Sequence, residues 1–347
     1  MEKFSQWRPF LPPAPVRSGR RVGQAVLEGL LAYIIGPLIA LVRLVALIPV
    51  IMMMGCVEMF CALLYFGAIQ RLVHALLLRP LGRLLFVLLG FYRLPHTTIS
   101  LKRGRTSHQL SDTTTHKPMQ SGDLILANHV SYLDVLYLYC RYSPVFVQHD
   151  LTPRPDRDPK FYRVGFWHAL IHCYTVGESR SAAHLSRMNL AQITKEARRT
   201  QSGPVVLFVE GTTSNGRALL SPLGPFSICQ DFDPATSLHL LLFKYPLNYP
   251  SPVFPVGNML GHWLRLCCQP VNSLQVLELD PHETPQVPNA TPMSSPNGSN
   301  APAVHELNHQ VAQLIANMGR LRTTKLGIRE KQAFLRYYYK RVQKAKH

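Results

Sequence analysis

Acidic side chains are scarce in this sequence: 19 Asp and Glu stand against 37 Lys and Arg in 347 residues, a net charge of +18. So large a basic excess points to an anionic partner, and nucleic acid, lipid headgroups and phosphorylated small molecules share that sign. The nucleic-acid signatures are missing. There is no zinc-finger spacing, no basic region leading into heptads and no aromatic-glycine RNA motif, so no nucleic-acid partner is expected. Cysteine is also sparse, with seven residues (56, 61, 140, 173, 229, 267 and 268) at irregular spacing, several inside apolar runs, and no C-x-x-C. That pattern argues against a disulfide framework or thiolate metal site and fits reduced thiols facing the cytosol. H-E-x-x-H is absent too, and no metal is expected. The opening MEKFSQWRPFLPPAPVRSGRR lacks the short apolar core and small-residue cleavage site of a secretory leader.

What is present is an apolar excess concentrated between Leu30 and Tyr92. Only Arg43 and Glu58 interrupt the uncharged run from Leu30 to Ile69. One charge at the centre of a span costs roughly 2.5 to 3.5 kcal/mol, while each Leu, Ile, Phe or Val returns roughly 0.3 to 0.6, so such a segment can still insert. Arg17, Arg20 and Arg21 precede it and Arg71, Arg79 and Arg83 follow it. Basic clusters at both ends favour the cytosolic side, which predicts a hairpin or re-entrant anchor kinked at Pro37 and Pro49. The later stretch LGRLLFVLLGFY is too short to span and is expected in the membrane interface.

Beyond a polar link the pattern changes. DLILAN, PVFVQ, IHCYTV, PVVLFVE, LHLLLFKY, SPVFPVG and LQVLEL read as strands, with helices over Asp158 to Leu170 and Ser181 to Thr200. That alternation predicts an α/β domain with a mostly parallel sheet flanked by helices. The expected organisation is a polar tail over 1–22, a membrane anchor over 23–92, a linker over 93–120 and the α/β domain over 121–280. A Pro, Ser and Asn-rich disordered insert then fills 281–303, and basic helices occupy 304–347. The helices are placed at Val304 to Met318 and Gly327 to Lys346, the last suited either to an anionic membrane surface or to plain solvation. Asn289 and Asn297 in the insert sit in glycosylation sequons, and a cytosolic domain predicts that neither carries glycan.

Two polar knots break these apolar runs. In LILANHVSYLDVLYLY, the residues Asn128, His129, Ser131 and Asp134 follow a buried strand; Ser131 to Asp134 also fits a capping box, which would need no chemistry at all. The second, VVLFVEGTTSNGR, places Glu210 and Gly211 after another strand. Parallel strands share a direction, so both knots fall at the carboxyl ends of strands, where open α/β sheets bind ligands. Gly211 reads equally as a turn glycine.

NHVSYLD and FVEGTTSNG resemble the N-H-x-x-x-x-D and F-P-E-G-T-R-S motifs of the 1-acylglycerol-phosphate acyltransferase family of membrane-bound glycerolipid acyltransferases, and VFPVG resembles its proline-centred block. The resemblance covers about residues 121 to 260. It implies the glycerolipid acyltransferase fold, acyl-CoA as co-substrate with no bound cofactor, a lysophospholipid acceptor and a phospholipid membrane. Most directly it implies acylation of lysophosphatidic acid at sn-2 to give phosphatidic acid. The opening MEKFSQWR, the anchor and EGTTSNG look like a fungal branch of endoplasmic reticulum and lipid droplets, connected with vacuolar sorting, with the catalytic domain facing the cytosol. Glu210 and Gly211 would shape the acceptor pocket, with Thr212, Ser214 and Asn215 as hydrogen-bond partners for phosphate or glycerol oxygens, and Asn128 and Ser131 beside them. Three departures stand out. Val209 replaces a proline, Thr213 stands where an arginine meets glycerol phosphate, and the second-block arginine has only Arg180, at shifted spacing in HCYTVGESR. Those departures leave open a lysophosphatidylcholine-type enzyme, or a lipid-droplet adaptor that kept the fold without turnover.

The residues make chemical sense without the resemblance. His129 and Asp134 are five apart and cannot share a helical face, but a loop histidine can fold back onto a carboxylate in the helix's first turn. Asp134 would fix the tautomer while neutral His129 takes a proton from an attacking lipid hydroxyl. A thioester suits this equipment, since its leaving thiol has a pKa of roughly 8.5 and departs without a strong acid. Amides at the helix start are expected to hold the oxyanion, an effect of about two to three decades in rate. Ser131 as a nucleophile is disfavoured because no G-x-S-x-G elbow surrounds it, and His149, His168 and His172 read as packed or surface residues.

Overall fold

The computed structural model describes residues 7–13, 34–64, 67–101, 118–149, 160–173, 186–222, 232–233, 235–246, 251–285 and 301–344. The N-terminal half runs α1 (Gly36–Leu63), α2 (Gly67–Val73), a π-helical turn (His74–Leu78), α3 (Arg79–Leu88), β1 (His96–Ile99), β2 (Leu124–Ala127), α4 (Tyr132–Tyr142), β3 (Val145–His149), β4 (Phe161–Val164) and α5 (Phe166–His172). After it come β5 (Arg187–Met188), α6 (Leu190–Arg199), β6 (Val205–Phe208), β7 (Ala218–Leu219), β8 (Leu238–Lys244), α7 (Met259–Cys268), β9 (Gln275–Leu279), α8 (Ala301–Gly319), β10 (Arg322–Thr323) and α9 (Ile328–Lys344).

Eight strands form one sheet in the order β1-β9-β8-β2-β6-β3-β4-β5. Its centre is parallel: β2 pairs β6 and β8, β3 pairs β6, and Leu126 lies level with both Leu207 and Leu240. The margins are mixed. β4 runs antiparallel to β3 and β5, and β9 runs antiparallel to β8 and parallel to β1. This is the mostly parallel α/β sheet that the alternating runs predict. β2 is buried along its whole length because helices cover both faces, which is why LILA is continuously apolar instead of alternating. Ile125, Val206, Leu241 and Phe243 point into one core with α1, α3, α4 and α7. Leu124, Leu126, Val205 and Leu240 point into the other with α6 and α8.

α1 is long and apolar enough to cross a membrane, with a mean hydropathy of 2.5 over its best window. It is not a detached tether. Ala40, Leu47, Val50 and Met54 join the sheet's core, while Leu41, Val45, Ile48, Met52 and Phe60 lie exposed on the outside. Arg43, which reads as a tolerated charge within lipid, turns inward and is 8% exposed. Its guanidinium donates to the carbonyls of Cys267 at 3.1 Å and Pro270 at 2.9 Å, to Gln269 O, and to Tyr92 Oη at 3.0 Å. It therefore satisfies the free carbonyls at the C-terminus of α7, where a cation also meets the favourable end of the helix dipole. Close packing continues at Gly82 of α3, where a Cβ would fall 2.2 Å from Cys140 Sγ of α4.

Several sequence expectations shift. LGRLLFVLLGFY becomes α3 and its exit, with Leu85, Phe86, Leu89 and Phe91 buried in the core instead of lying at an interface. Among the described residues Asp158 to Leu170 is not one helix but β4 followed by α5, and the Ile171 to Cys173 part of IHCYTV ends α5, its other three residues lying outside the described ones; short apolar runs do not distinguish helix from strand by pattern alone. Ser181 to Thr200 resolves into β5 and α6, whose start is tied by the Asn189 amide donating to Gln192 Oε1 at 3.0 Å. SPVFPVG is an irregular loop, because Pro252 and Pro255 have no amide to offer a ladder. The linker 93–120 contains β1, and the 1–22 tail contains a docked turn: Phe10 is fully buried among Phe334, Leu220 and Val256. α9 is likewise packed inward through Ile328, Phe334 and Leu335, leaving Arg329, Arg336, Lys340 and Arg341 exposed. Of the insert expected over 281–303, residues 281–285 form a turn after β9 and 301–303 begin α8, while 286–300, including Asn289 and Asn297, lie outside the described residues.

Candidate active site

β2 and β6 are adjacent and parallel, so the two polar knots leave the sheet side by side. The His129 amide donates to Glu210 Oε2 at 2.8 Å, and the His129 carbonyl accepts from the Ser214 amide at 2.9 Å. The first knot is thus bonded along its backbone to the second. His129 lies in the loop and Asp134 in the first turn of α4, and the ring folds back so that Nδ1 meets Asp134 Oδ2 at 3.2 Å. The ring also stacks on Phe208, with centroids 4.0 Å apart. Both residues are buried, Asp134 completely.

The capping box is present as well, and it uses the same carboxylate. Asp134 Oδ2 accepts the amides of Val130 at 2.7 Å and Ser131 at 2.9 Å, while Oδ1 accepts the Tyr245 hydroxyl at 2.6 Å. A charged carboxylate with this many donors is strongly held. The consequence for the oxyanion is a correction. The Val130 and Ser131 amides serve Asp134, the Leu133 amide serves Ser131 Oγ and the Asp134 amide serves Ser131 O, so these helix-start donors are already engaged. The Thr212 hydroxyl in the second knot, 1% exposed, has no hydrogen-bond partner among the described residues.

The other sequence-selected residues fall into two groups. Asn128, Ser131 and Asn215 hold the framework. Asn128 pairs both ways with the Phe243 backbone, at 3.1 and 2.7 Å, extending the β2 and β8 pairing by one residue. Ser131 Oγ donates to Pro252 O at 2.8 Å, and Asn215 Nδ2 donates to Arg8 O at 2.8 Å and Leu11 O at 3.1 Å, which pins the N-terminal turn to the loop. Gly211, at φ +61°, makes the turn and also lines the cleft that His129 faces. Ser214 stays within the loop, its hydroxyl 3.4 Å from the Gly216 amide. Thr213 directs its hydroxyl to Cys173 O at 3.1 Å and not toward a headgroup. Arg180 lies outside the described residues.

Glu210 is fully buried and accepts from His129 N through Oε2 and from Leu220 N through Oε1. Burial pushes its carboxyl up to about 7, against the pull of those amides. Lys331 of α9, also fully buried, donates to Thr213 O at 3.0 Å and to Pro255 O, and so clamps the second knot to the VFPVG loop. Burial lowers its ammonium to about 7, with Glu210 opposing.

The cleft beside His129 is small and partly open to solvent, and His149, His172, Gln148 and Phe208 share its wall. The sequence reading had set both histidines aside. His172 is held down to about 4, first by burial and then by the neighbouring His129 and His168, so it stays neutral. A second cavity of about 60 Å³, lined among others by Met54, Tyr132, Leu136, Phe166 and Trp263, is almost wholly apolar. Sequence reasoning also missed Cys173, Tyr245 and Lys331. A signal existed only for Lys331, which sits three residues from both Ile328 and Phe334 on the apolar stripe of α9.

With this geometry described, the comparisons acquire meaning. Residues 107–256 match the Acyltransferase family model. The chain is also 27% identical over 269 residues to the lysophospholipid acyltransferase LPEAT1 of Arabidopsis thaliana, covering 74% of this chain and 61% of that protein. It therefore spans less than two thirds of the curated relative's length. No solved structure matches. The matched segment contains His129, Asp134 and the whole loop from Glu210 to Asn215, and both matches support an acyltransferase.

Proposed function

We propose that this chain is an acyl-CoA-dependent lysophospholipid O-acyltransferase, which acylates lysophosphatidic acid at sn-2 to give phosphatidic acid. The observation that carries the reading is the His129 and Asp134 pair, at 3.2 Å, with His129 lining a cleft that Gly211 of the second loop also lines. Asp134 orients the ring through Nδ1, leaving Nε2 to take the proton of the acceptor hydroxyl as it attacks the thioester carbonyl. The CoA thiolate departs, and the buried Thr212 hydroxyl, unpartnered among the described residues, is a candidate donor for the developing negative charge. The exposed apolar face of α1 and its inward Arg43 suit a re-entrant anchor, which would present the cleft to lipid on the cytosolic side of endoplasmic reticulum or lipid droplets.

A second reading is favoured by Thr213, whose side chain is committed to Cys173 O and leaves no arginine at that place for a bare phosphate. It replaces lysophosphatidic acid with a lysophospholipid of larger headgroup, such as lysophosphatidylcholine. The test is purified protein in detergent with oleoyl-CoA and a panel of lysophospholipids, followed by free-thiol release and lipid product. Thiol release with lysophosphatidic acid alone supports the first reading, and release with choline-bearing lipid supports the second. No release with any acceptor would remove both and favour a non-catalytic adaptor.

A further inference from the structure

Three loops meet at the carboxyl edge of the sheet, and two of their junctions are made by the loops themselves. The first knot joins the second through His129, whose amide donates to Glu210 Oε2 and whose carbonyl accepts from the Ser214 amide. It joins the VFPVG loop through the Phe254 amide, which donates to Val130 O at 3.1 Å, and through Ser131 Oγ, which donates to Pro252 O. The remaining junction is Lys331. Its ammonium donates to the Thr213 carbonyl of the second knot and to the Pro255 carbonyl of the VFPVG loop, and lies 5.1 Å from the centroid of the Phe10 ring. An apolar residue would fill this buried place on α9 at a far lower desolvation cost, so what the lysine adds is the bond to each of the two loops.

Both ends of the chain converge on the second knot. The Asn215 amide donates to Pro9 O at 2.8 Å and its side chain to Arg8 O and Leu11 O, while Trp7 and Phe10 pack on Phe334 of α9 with ring centroids 5.8 and 5.7 Å apart. α9 does more than support the loop from behind. Ile328, one turn before Lys331 and on the same side of the helix, lines the cleft together with His129 and Gly211. Neither α9 nor the N-terminal turn falls within 107–256, the segment that matches the family model.

We infer that α9 completes the acceptor side of the site: Lys331 is a positioning residue that fixes the Glu210 to Asn215 loop relative to His129, and Ile328 is a specificity-determining wall of the cleft. The inference rests on the lysophospholipid acyltransferase reading above and gives the C-terminal helix a part in choosing the lysophospholipid. With Lys331 replaced by an apolar residue, the ring of three loops opens on one side. The second knot keeps its bonds to His129 but loses its tie to the VFPVG loop, and a displacement of about 1 Å at a reacting centre is enough to cost about a hundredfold in rate. The effect falls on the acceptor, because the second knot is the acceptor loop in this reading. A mere loss of folded protein lowers the apparent kcat and leaves the KM of both substrates where it was.

The experiment uses the full chain in detergent, with oleoyl-CoA and the lysophospholipid that gives the fastest thiol release, and follows kcat and KM for each substrate. Lys331→Met should raise the acceptor KM by about tenfold or more, with the KM for oleoyl-CoA within about twofold of wild type. Lys331→Gln, which keeps an NH₂ donor, should recover part of that change, and it carries the test if the methionine variant does not fold. Ile328→Ala leaves the clamp in place and should change the relative kcat/KM among lysophospholipids of different headgroup by about fivefold or more. Hydrogen exchange gives a readout independent of turnover: amides over 210–217 should exchange at least about tenfold faster in Lys331→Met, while those of β2 and β6 keep their wild-type rates. Wild-type exchange over 210–217, an unchanged acceptor KM, or an equal rise in both KM values would each overturn the clamp, and an unchanged acceptor ranking in Ile328→Ala would overturn the wall. Faster exchange in Lys331→Met, with no thiol release from the wild-type protein on any lysophospholipid, would uphold the clamp and remove the acyltransferase reading together with the wall.

Discussion

Asp134 Oδ2 meets His129 Nδ1 at 3.2 Å while the same oxygen accepts the amides of Val130 and Ser131. The helix cap and the carboxylate that meets the imidazole are therefore one group, so a capping role and a role beside His129 do not exclude each other. His129→Ala should lower thiol release by at least about two decades and lower the melting temperature only through the lost buried ring, because the cap bonds from Asp134 to the Val130 and Ser131 amides remain. Asp134→Ala should lower both, because it also removes an N-terminal cap worth about 1 kcal/mol and strands the buried Tyr245 hydroxyl. Parallel assays of turnover and thermal melting separate the two effects.

Glu210 receives two amides, one on each oxygen. In Glu210→Gln one oxygen becomes an NH₂ group facing an N–H, so a buried donor pair is left opposed. The expected cost is about 1 to 3 kcal/mol, seen as a lower denaturation midpoint. Turnover should fall too, since the His129 backbone loses its tie to the second loop. A variant as stable as wild type would show that the loop is held elsewhere.

Arg43 serves three backbone carbonyls at the end of α7. Arg43→Met should cost about 2 to 3 kcal/mol in detergent, because the charged donor is lost and the carbonyls remain buried. Arg43→Lys should fall between the two, as a point charge does not reproduce the guanidinium fork. If Arg43→Met instead melts like wild type, water reaches the carbonyls and the contact is not an anchor.

A buried polar network away from the cleft sets pH dependence. Glu278 bonds His239 Nδ1 at 3.1 Å and His96 Nε2 at 2.8 Å, and His239 Nε2 lies 3.7 Å from Asp123, which Arg198 also approaches at 3.6 Å. Burial opposes charge on Glu278, but the two histidines outweigh it and bring its carboxyl from 4.5 to about 2. That contribution is present above pH 4.5 and lost as pH falls toward 2. Burial likewise opposes charge on His239, but Asp123 and Glu278 outweigh it and raise the imidazole from 6.5 to about 9. Its contribution is complete below pH 6.5 and lost as pH rises through 9. Melting temperature should therefore decline on the alkaline side, and His239→Gln should flatten that decline.

Much of the site was legible in the sequence. Asn128, His129, Ser131 and Asp134 announce themselves as polar residues after a buried strand, and Glu210 with Gly211 repeats the signal after a second. That both strands are apolar on every residue already implied a covered parallel sheet, hence loops on a common edge. The misread elements share a cause. IHCYTV and SPVFPVG are short apolar runs without helical or strand periodicity; packing against α4 fixes the described Ile171 to Cys173 part of the first, and the bonds from Ser131 and Lys331 fix the second.

The sequence by itself determined strands β2, β3, β6, β8 and β9, the cap and the loop carboxylates, because these depend on apolar runs, local hydrogen bonding and turn chemistry within a few positions. Only the tertiary structure decided that Cys173 meets His129, that Tyr245 meets Asp134, and that Lys331 from α9 clamps the second loop, contacts spanning 44, 111 and 118 positions respectively. Local propensity carries no information across such separations. They are set when the two cores close on opposite faces of one sheet and bring distant polar atoms to the same edge with no water left to satisfy them.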